Sequence, residues 1–167
     1  MRLIITGHDF AGKSTILKEI YKREDSSSLS YMHLSYREPT DYEFYKNTLM
    51  FSNFLMDRCF LDELIYPMVF NRRQNLNIEE ARDLVNFCKE QDIKIIILEC
   101  SNKEIERRIN LRAGEEPEVL ENIKLIKSGY RWLAEKFNIP IIDTTDIPIK
   151  EVIEKIDSYN IVGGNNG

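Results

Sequence analysis

The chain of 167 residues contains few cysteines and histidines, three and two respectively. Cys59, Cys88 and Cys100 are odd in number and lack the CxxC spacing, and the histidines lie far apart, so we expect neither a disulfide framework nor a structural metal site. We interpret the three cysteines as small core residues.

The sequence also lacks long apolar runs and an excess of basic charge. No segment approaches the roughly 18 apolar residues of a membrane span, and residues 1–7 are too short for a signal peptide, so we expect a cytoplasmic protein with no membrane partner. The formal net charge of −5 argues against broad binding to duplex nucleic acid, although a local basic patch could still hold phosphates.

The composition that is present is that of an ordinary globular domain. Hydrophobic residues make up 43% of the chain, which is too many for a disordered protein and enough for one core. A chain of this length fits one domain, and it contains neither an internal repeat nor a long linker. We expect a single domain over residues 1–160 and a flexible tail over residues 161–167.

Short apolar runs alternate with amphipathic stretches along the chain. Residues 93–98 are almost all aliphatic, which is typical of a strand buried on both faces of a parallel sheet. Asn77 followed by Glu80 predicts a helix start, and Asp146 is predicted to cap the last helix. The pattern as a whole predicts a three-layer α/β domain with about five parallel strands flanked by helices. The predicted strands are residues 2–6, 31–36, 53–56, 93–98 and 139–142, and the predicted helices are residues 14–22, 41–49 and 103–111 and segments that begin near 77, 117 and 146.

A glycine-rich motif follows the first predicted strand. Residues 7–14, GHDFAGKS, match the phosphate-loop pattern G-x-x-x-x-G-K-[ST] directly before a predicted helix. In such a loop backbone N–H groups cradle phosphates, Lys13 reaches the β and γ phosphates, and Ser14 ligates Mg²⁺. We therefore predict a site for magnesium and ATP or another nucleoside triphosphate. Its predicted residues are Gly7, Asp9, Phe10, Ala11, Gly12, Lys13, Ser14 and Thr15.

Two charged pairs end the next predicted strands. Asp57 could hold the magnesium shell or accept a proton, and Arg58 could clamp a transferring phosphate, but a surface ion pair explains them too. Arg37 is a candidate for gripping an acceptor phosphate and Glu38 for acting as a base, although solvated loop charges are equally consistent. Among the aromatic residues that follow, most are expected in the core, and Tyr66 is the candidate for contact with substrate.

Arginines gather before the longest predicted helix. Arg108 and Arg112 share a helix face, and Gly114 and Pro117 mark a loop that could move as a lid. Together with Arg107 these arginines could neutralise charge that develops in phosphoryl transfer. Ordinary pairing with nearby surface glutamates is the alternative.

Taken together, these motifs resemble the thymidylate kinase and related nucleotide kinase family, and the resemblance covers nearly the whole chain. It is carried by residues 7–15, Arg-Glu-Pro at 37–39, Asp-Arg at 57–58, the arginine-rich segment 107–112 and Ser-Gly-Tyr at 128–130.

The resemblance implies a magnesium-dependent kinase that moves the γ-phosphoryl group of ATP to a deoxynucleoside monophosphate, a thymidylate-like acceptor being the first expectation. Asp9 would approach the acceptor sugar, Arg58 would bridge the donor and acceptor phosphates, and Arg37 would bind the acceptor's phosphate. The family also implies a homodimer. The arginines expected to close over the donor are Arg107, Arg108 or Arg112.

The sequence departs from this family in two places, and other activities stay open. Only residues 40–56 separate the Arg-Glu-Pro and Asp-Arg motifs, so the base pocket is curtailed or rebuilt. Phe10 stands where thymidylate kinases usually have glycine, and we expect it to reshape the floor of the acceptor site. Deoxynucleoside kinases carry similar motifs, with Glu38 as base. A kinase acting on a 5′ end or a modified base in DNA, and a nonenzymatic nucleotide sensor, are further alternatives.

Overall fold

The structure is a computed structural model that describes residues 1–24, 28–35, 40–111 and 117–159. Within these residues the chain forms five strands and seven helices. The strands are β1 (Arg2–Gly7), β2 (Ser30–His33), β3 (Phe54–Asp57), β4 (Lys94–Glu99) and β5 (Ile141–Asp143). The helices are α1 (Lys13–Arg23), α2 (Tyr42–Thr48), α3 (Asp62–Val69), α4 (Ile78–Glu90), α5 (Asn102–Asn110), α6 (Pro117–Phe137) and α7 (Ile149–Ser158).

The strands form one parallel sheet in the order β2-β3-β1-β4-β5. β1 is the central strand, with Ile5 opposite Asp57 of β3 on one side and Ile96 of β4 on the other. Because the carboxyl ends of parallel strands meet at one edge of the sheet, the loop after β1 lies beside the ends of both neighbours. The predicted three-layer α/β fold with a five-stranded parallel sheet is confirmed.

The core lies on both faces of the sheet. Successive residues of β1 enter different cores: Ile4 packs with residues of α3, α4 and α6, whereas Leu3 and Ile5 pack with residues of α1 and α7. This follows from the alternation of side chains along a strand. It also explains why the central strands are apolar on every residue rather than on every second one.

Several local predictions are confirmed. The side chain of Asn77 accepts hydrogen bonds from the N–H groups of Glu79 and Glu80, and the Glu80 side chain accepts one from the Asn77 N–H, so a capping box begins α4. The three cysteines are buried and carry free thiols.

Two local predictions differ from the structure. α3 was not predicted, because Pro67 lies inside it and its neighbours are buried on more than one side, which removes the amphipathic pattern. The capping role predicted for Asp146 is wrong: α7 begins at Ile149 with Pro148 at the N-cap, and Asp146 has φ 51° in the preceding turn. Residue 36 of the second predicted strand and the predicted tail lie outside the described residues.

Two features are absent from the described part of the chain. Among its helices, none is long and apolar enough to cross a membrane. Within the same residues, no group of three or more His, Cys, Asp and Glu side chains could hold a metal ion.

α3 and α6 pack closely at Gly129. A Cβ atom on Gly129 would lie 3.1 Å from Cγ2 of Ile65, so the glycine lets the two helices approach. This contact has a wider consequence, because side chains of α3 line a cavity next to Arg58, the residue that follows β3.

Replacing Gly129 with valine is therefore expected to lower the free energy of unfolding by about 1–3 kcal/mol, since the extra atoms would push α3 away from α6. Urea denaturation measures the change. Ser128→Val is the matched control, because Ser128 is the exposed neighbour on the same helix. Equal losses in the two variants would contradict close packing at Gly129.

Candidate phosphate-transfer site

The loop between β1 and α1 closes around its own lysine. Gly7 begins the loop with φ 132°, and a Cβ atom there would lie 2.0 Å from the carbonyl oxygen of Leu98, so only glycine fits. The buried ammonium group of Lys13 donates hydrogen bonds of 2.8 Å to the carbonyl oxygens of Gly7 and His8. The ammonium group is thus held within the loop, where the motif predicts phosphate binding.

His8 ties the loop to the end of β4. Its Nε2 accepts a hydrogen bond of 3.0 Å from the N–H of Cys100, so Nδ1 carries the proton and donates to the carbonyl oxygen of Asp9 at 2.6 Å. Burial, aided by the charge of Lys13, lowers the pKa of His8 to about 4, although the bond to Asp9 opposes this. His8 is therefore neutral at pH 7. No sequence pattern predicts this role of His8, because the motif accepts any residue at that position.

The carboxylate of Asp57 lies fully buried at the end of β3. Its Oδ2 accepts hydrogen bonds from the Ser14 hydroxyl and from Nδ1 of His33, the latter at 2.9 Å. Its Oδ1 is buried without a hydrogen-bond partner in the described part of the chain. Leaving a buried acceptor unsatisfied costs on the order of 1–3 kcal/mol.

A divalent cation would satisfy this carboxylate. Mg²⁺ prefers oxygen ligands and commonly binds through one or two carboxylates together with phosphate oxygens. Ser14 and Asp57 present a hydroxyl and a carboxylate beside the loop, so the residues fit the magnesium ion that the motif implies.

A compact hydrogen-bonded group lies where the phosphate loop meets the end of β3. It consists of Asp9, Arg58 and Tyr66. Asp9 accepts a hydrogen bond of 2.7 Å on each oxygen, from Nη2 of Arg58 and from the hydroxyl of Tyr66. The guanidinium of Arg58 also lies 5.4 Å from the centre of the Tyr66 ring. Burial raises the pKa of Asp9, but the charges of Lys13 and Arg58 outweigh it and lower the pKa below its ordinary value. Asp9 is therefore ionised, and it fixes the arginine.

Arg58 adopts a backbone conformation that is rare for arginine, with φ 72°. Such a residue costs on the order of 1–3 kcal/mol and is kept when the surrounding structure requires it. Here the turn directs the side chain back toward the loop, where Asp9 binds it. The strain therefore coincides with a residue that the sequence predicts to contact phosphate.

A buried hydrogen-bonded group fixes the start of α3. Asp62 accepts hydrogen bonds from the hydroxyl of Thr6 at 2.6 Å, the hydroxyl of Tyr130 at 2.7 Å and the N–H of Cys59 at 2.8 Å. These contacts join β1, α3 and α6. Sequence analysis missed them, because their partners are far apart in the chain and no local pattern links them.

Arg108 connects α5 to the loop. Its Nη1 donates to the carbonyl oxygen of Phe10 at 2.6 Å and its Nη2 to that of Thr144 at 2.9 Å, while its Nε donates to Glu104 at 2.7 Å. Glu104 also accepts two hydrogen bonds from Arg107, and these bonds lead the effects that lower its pKa to about 2. Arg107 itself is largely exposed.

One cavity is lined by the phosphate loop itself, and a second is lined by side chains that are hydrogen-bonded to the loop. The β4-side cavity, of about 670 Å³, is lined by Phe10, Gly12 and Thr15 of the loop region together with Arg108 and Pro148. The β3-side cavity, of about 250 Å³, is lined by residues that follow β2, by Arg58 and by α3. Each cavity thus has an arginine that is hydrogen-bonded to the loop.

Phe10 lies on the β4 side of the loop. Its side chain packs against a small cluster that includes Ile105 of α5, and it lines the β4-side cavity. The expectation that Phe10 reshapes the floor of the acceptor site stays a prediction. Phe10 has φ 67°, a conformation that glycine adopts more easily. Packing against α5 offsets the backbone strain.

The structure brings most of the predicted site residues together around the loop. Arg107 lies beside Arg108 on α5 but extends into solvent. Arg37, Glu38 and Arg112 lie outside the described residues. Those that surround the loop are Gly7, Asp9, Phe10, Ala11, Gly12, Lys13, Ser14, Thr15, Asp57, Arg58, Tyr66 and Arg108.

Two substitutions at Phe10 separate its packing from its backbone strain. Phe10→Ala removes the contact with α5 and keeps the strain, whereas Phe10→Gly removes both. We expect Phe10→Ala to be the less stable variant by about 1 kcal/mol, measured by urea denaturation. If Phe10→Gly is the less stable one, φ at this position is not strained.

The burial of His8 predicts a loss of stability in mild acid. The unfolded chain binds a proton near pH 6.5, whereas folded His8 binds one only near pH 4. The stabilisation is therefore complete above pH 6.5 and declines as the pH falls. We expect the free energy of unfolding to drop by about 1.5 kcal/mol between pH 6.5 and pH 5.

His8→Gln keeps a hydrogen-bond acceptor for Cys100 but has no titrating group. The drop in the free energy of unfolding that His8 causes should therefore disappear in this variant. Urea denaturation at pH 6.5 and pH 5 measures it. Lys18→Gln is the control, because Lys18 is an exposed residue of α1. An unchanged slope in His8→Gln would show that His8 does not cause the acid sensitivity.

Comparisons with known proteins support the fold. No protein-family model matches the sequence, and no curated protein is significantly similar to it. A Bacillus subtilis protein, YorR, solved in complex with phosphorylated GDP, is similar with a TM-score of 0.77 and 19% identity over 94% of both chains. Thymidylate kinase from Candida albicans is similar with a TM-score of 0.61 and 14% identity over 92% of this chain and 88% of that one. The chain has the fold of the thymidylate kinase-like P-loop nucleotide kinases.

Proposed function

We propose that the protein is a magnesium-dependent nucleotide kinase, which transfers the γ-phosphoryl group of ATP to a deoxynucleoside monophosphate. The observation that carries this proposal is a pair of cavities, one next to β3 and one next to β4, each lined by an arginine that is hydrogen-bonded to the phosphate loop. A nucleotide sensor needs one nucleotide cavity, whereas transfer needs two substrates that meet at one loop. The similarity in fold to a protein solved with a guanine nucleotide and to a thymidylate kinase supports nucleotide substrates.

The β4-side cavity is proposed to hold the donor. It opens beside Gly12 and Thr15 at the start of α1, where unpaired N–H groups and the helix dipole favour phosphate. Lys13 would contact the β and γ phosphates. Arg108 is held by loop and strand-end carbonyls, so we propose that it positions the loop and borders the donor nucleotide. Neutralisation of the transferred group by Arg112 stays a prediction of the sequence.

Ser14 and Asp57 are proposed to hold the magnesium ion. When bound, the ion would neutralise charge on the donor phosphates. The protein's contribution is the orientation of both ligands: His33 binds the same oxygen of Asp57 as Ser14 does, and this leaves Oδ1 available.

The β3-side cavity is proposed to hold the acceptor. Arg58, Arg72 and Arg73 all line it, and three arginines around one small cavity favour a phosphorylated acceptor over a neutral nucleoside. Arg58 is fixed by Asp9 and Tyr66, and it can bind the acceptor phosphate or the transferred group. A phosphate acceptor is already nucleophilic at neutral pH, so positioning and charge neutralisation are sufficient for transfer.

Lys13→Ala is expected to reduce turnover at least about 100-fold, because the transferred phosphates lose their cation. Formation of ADP from magnesium ATP in the presence of deoxynucleoside monophosphates is the measurement. Lys18→Ala, an exposed lysine of the same helix, should keep full activity. A Lys13→Ala variant as active as Lys18→Ala would remove the donor assignment.

The class of acceptor is tested by offering nucleosides, deoxynucleoside monophosphates and a DNA oligomer with a free 5′ hydroxyl, and by detecting which gains phosphate. Transfer to a monophosphate supports the proposal. Transfer only to nucleosides or only to the oligomer would replace it with a nucleoside kinase or a DNA kinase. Binding of ATP without transfer to any acceptor would indicate a sensor.

A further inference from the structure

The carboxylate of Glu63 is held in a fixed orientation at the β3-side cavity. Its Oε1 accepts hydrogen bonds from the Thr40 hydroxyl at 2.5 Å and from the Tyr45 hydroxyl at 3.2 Å. Thr40 and Tyr45 are both buried, so neither donor can easily move. Both of these hydrogen bonds fall on Oε1, so Oε2 is the oxygen that can accept from a ligand in the cavity.

Glu63 is an acidic side chain in a cavity that also contains arginines. The arginine nearest the phosphate loop, Arg58, forms its ion pair with Asp9. A carboxylate in a cavity that receives a phosphate would repel its own substrate unless it meets an uncharged part of it. Burial raises the pKa of Glu63, which its two hydrogen bonds oppose.

The positions of the charged groups indicate which part of an acceptor Glu63 meets. Arg58 and Tyr66 are bonded to Asp9 of the phosphate loop, so the phosphate end of the cavity lies there. Glu63 is anchored instead to Tyr45 and Thr40, outside the loop. It lies three residues before Tyr66 on one face of α3. An acceptor with its phosphate at Arg58 therefore extends its base toward Glu63.

The bases differ in what they offer to a carboxylate. Guanine presents two adjacent donors, N1–H and the N2 amino group. Cytosine and adenine present one amino group next to an acceptor nitrogen. Thymine presents one N–H between two carbonyl oxygens, which a carboxylate repels. A carboxylate oxygen can accept two hydrogen bonds, so it matches guanine best.

We propose that Glu63 selects the acceptor base, binding the N1–H and N2 amino donors of guanine and discriminating against thymine. This inference rests on the proposed kinase function and replaces the thymidylate-like acceptor expected first from the sequence. Glu63 has no counterpart among the motifs of the sequence analysis, because α3 was not predicted there.

Glu63→Gln tests the proposal, because glutamine has the same shape but offers one donor and one acceptor. In the wild type, kcat/KM should be highest for dGMP, lower for dIMP, which lacks the N2 amino group, and lowest for dTMP. In Glu63→Gln the value for dGMP should fall about 5–150-fold, the range expected for the loss of a pair of base contacts. The value for dTMP should stay constant or rise, since the amide nitrogen donates to a thymine carbonyl oxygen where the carboxylate repels it.

Two controls separate base selection from folding and from a general catalytic role. Glu43→Gln replaces an exposed glutamate of the neighbouring helix and should leave all acceptors unchanged. Tyr45→Phe keeps the carboxylate but removes one anchor, so the ratio of dGMP to dTMP should fall less than in Glu63→Gln. Urea denaturation checks that each variant is folded.

Two results would overturn the proposal: a wild type that prefers dTMP, dCMP or dAMP, or a Glu63→Gln variant that loses activity equally on every acceptor. Failure of the kinase function would differ, because then no acceptor gains phosphate. In that case calorimetric titration with dGMP and dTMP still tests base selection, since binding requires no transfer, and equal affinities would contradict it.

Discussion

The buried carboxylate of Asp57 is the constraint on which the rest of the site depends. It lies at a strand end without solvent, with one oxygen bonded to Ser14 and His33 and the other without a partner in the described structure. Burying such a group is unfavourable unless hydrogen bonds or a cation compensate for the lost water. The pairing of β1 with β3 maintains the arrangement, because it sets Ile5 opposite Asp57 and brings the start of α1 beside it.

The order of the strands turns a linear set of motifs into a two-sided site. β1 ends in the phosphate loop, and its neighbours β3 and β4 end on opposite sides of it. Arg58 follows β3 and reaches the loop through Asp9, whereas Arg108 lies on α5 after β4 and reaches the loop through Phe10. Two anions can therefore be brought toward Lys13 from different directions, which is the geometric requirement of transfer between them.

The parts of the fold that were predictable from sequence are those with a local physical cause. The aliphatic run of β4 and the glycines of the phosphate loop each carry their own signal. α3 carries none, because Pro67 interrupts it and its burial hides the helical period, and Asp62 and Glu63 on it were missed for the same reason. The contacts of Asp62 join distant segments, and the side of the loop occupied by Phe10 depends on a positive φ that no motif specifies. The domain bounds, cytoplasmic location and homodimer stay predictions.

The attachment of the loop at His8 and Phe10 has a consequence for ligand affinity. Both residues are hydrogen-bonded to segments outside the loop, to the N–H of Cys100 and to the guanidinium of Arg108. A preorganised loop surrenders little conformational entropy when it receives an anion, since the ordering has already occurred during folding. The affinity of the proposed nucleotide site for polyphosphate would then reflect charge and hydrogen bonding almost alone. The stability of the domain and the strength of that proposed site would be linked through the same few contacts.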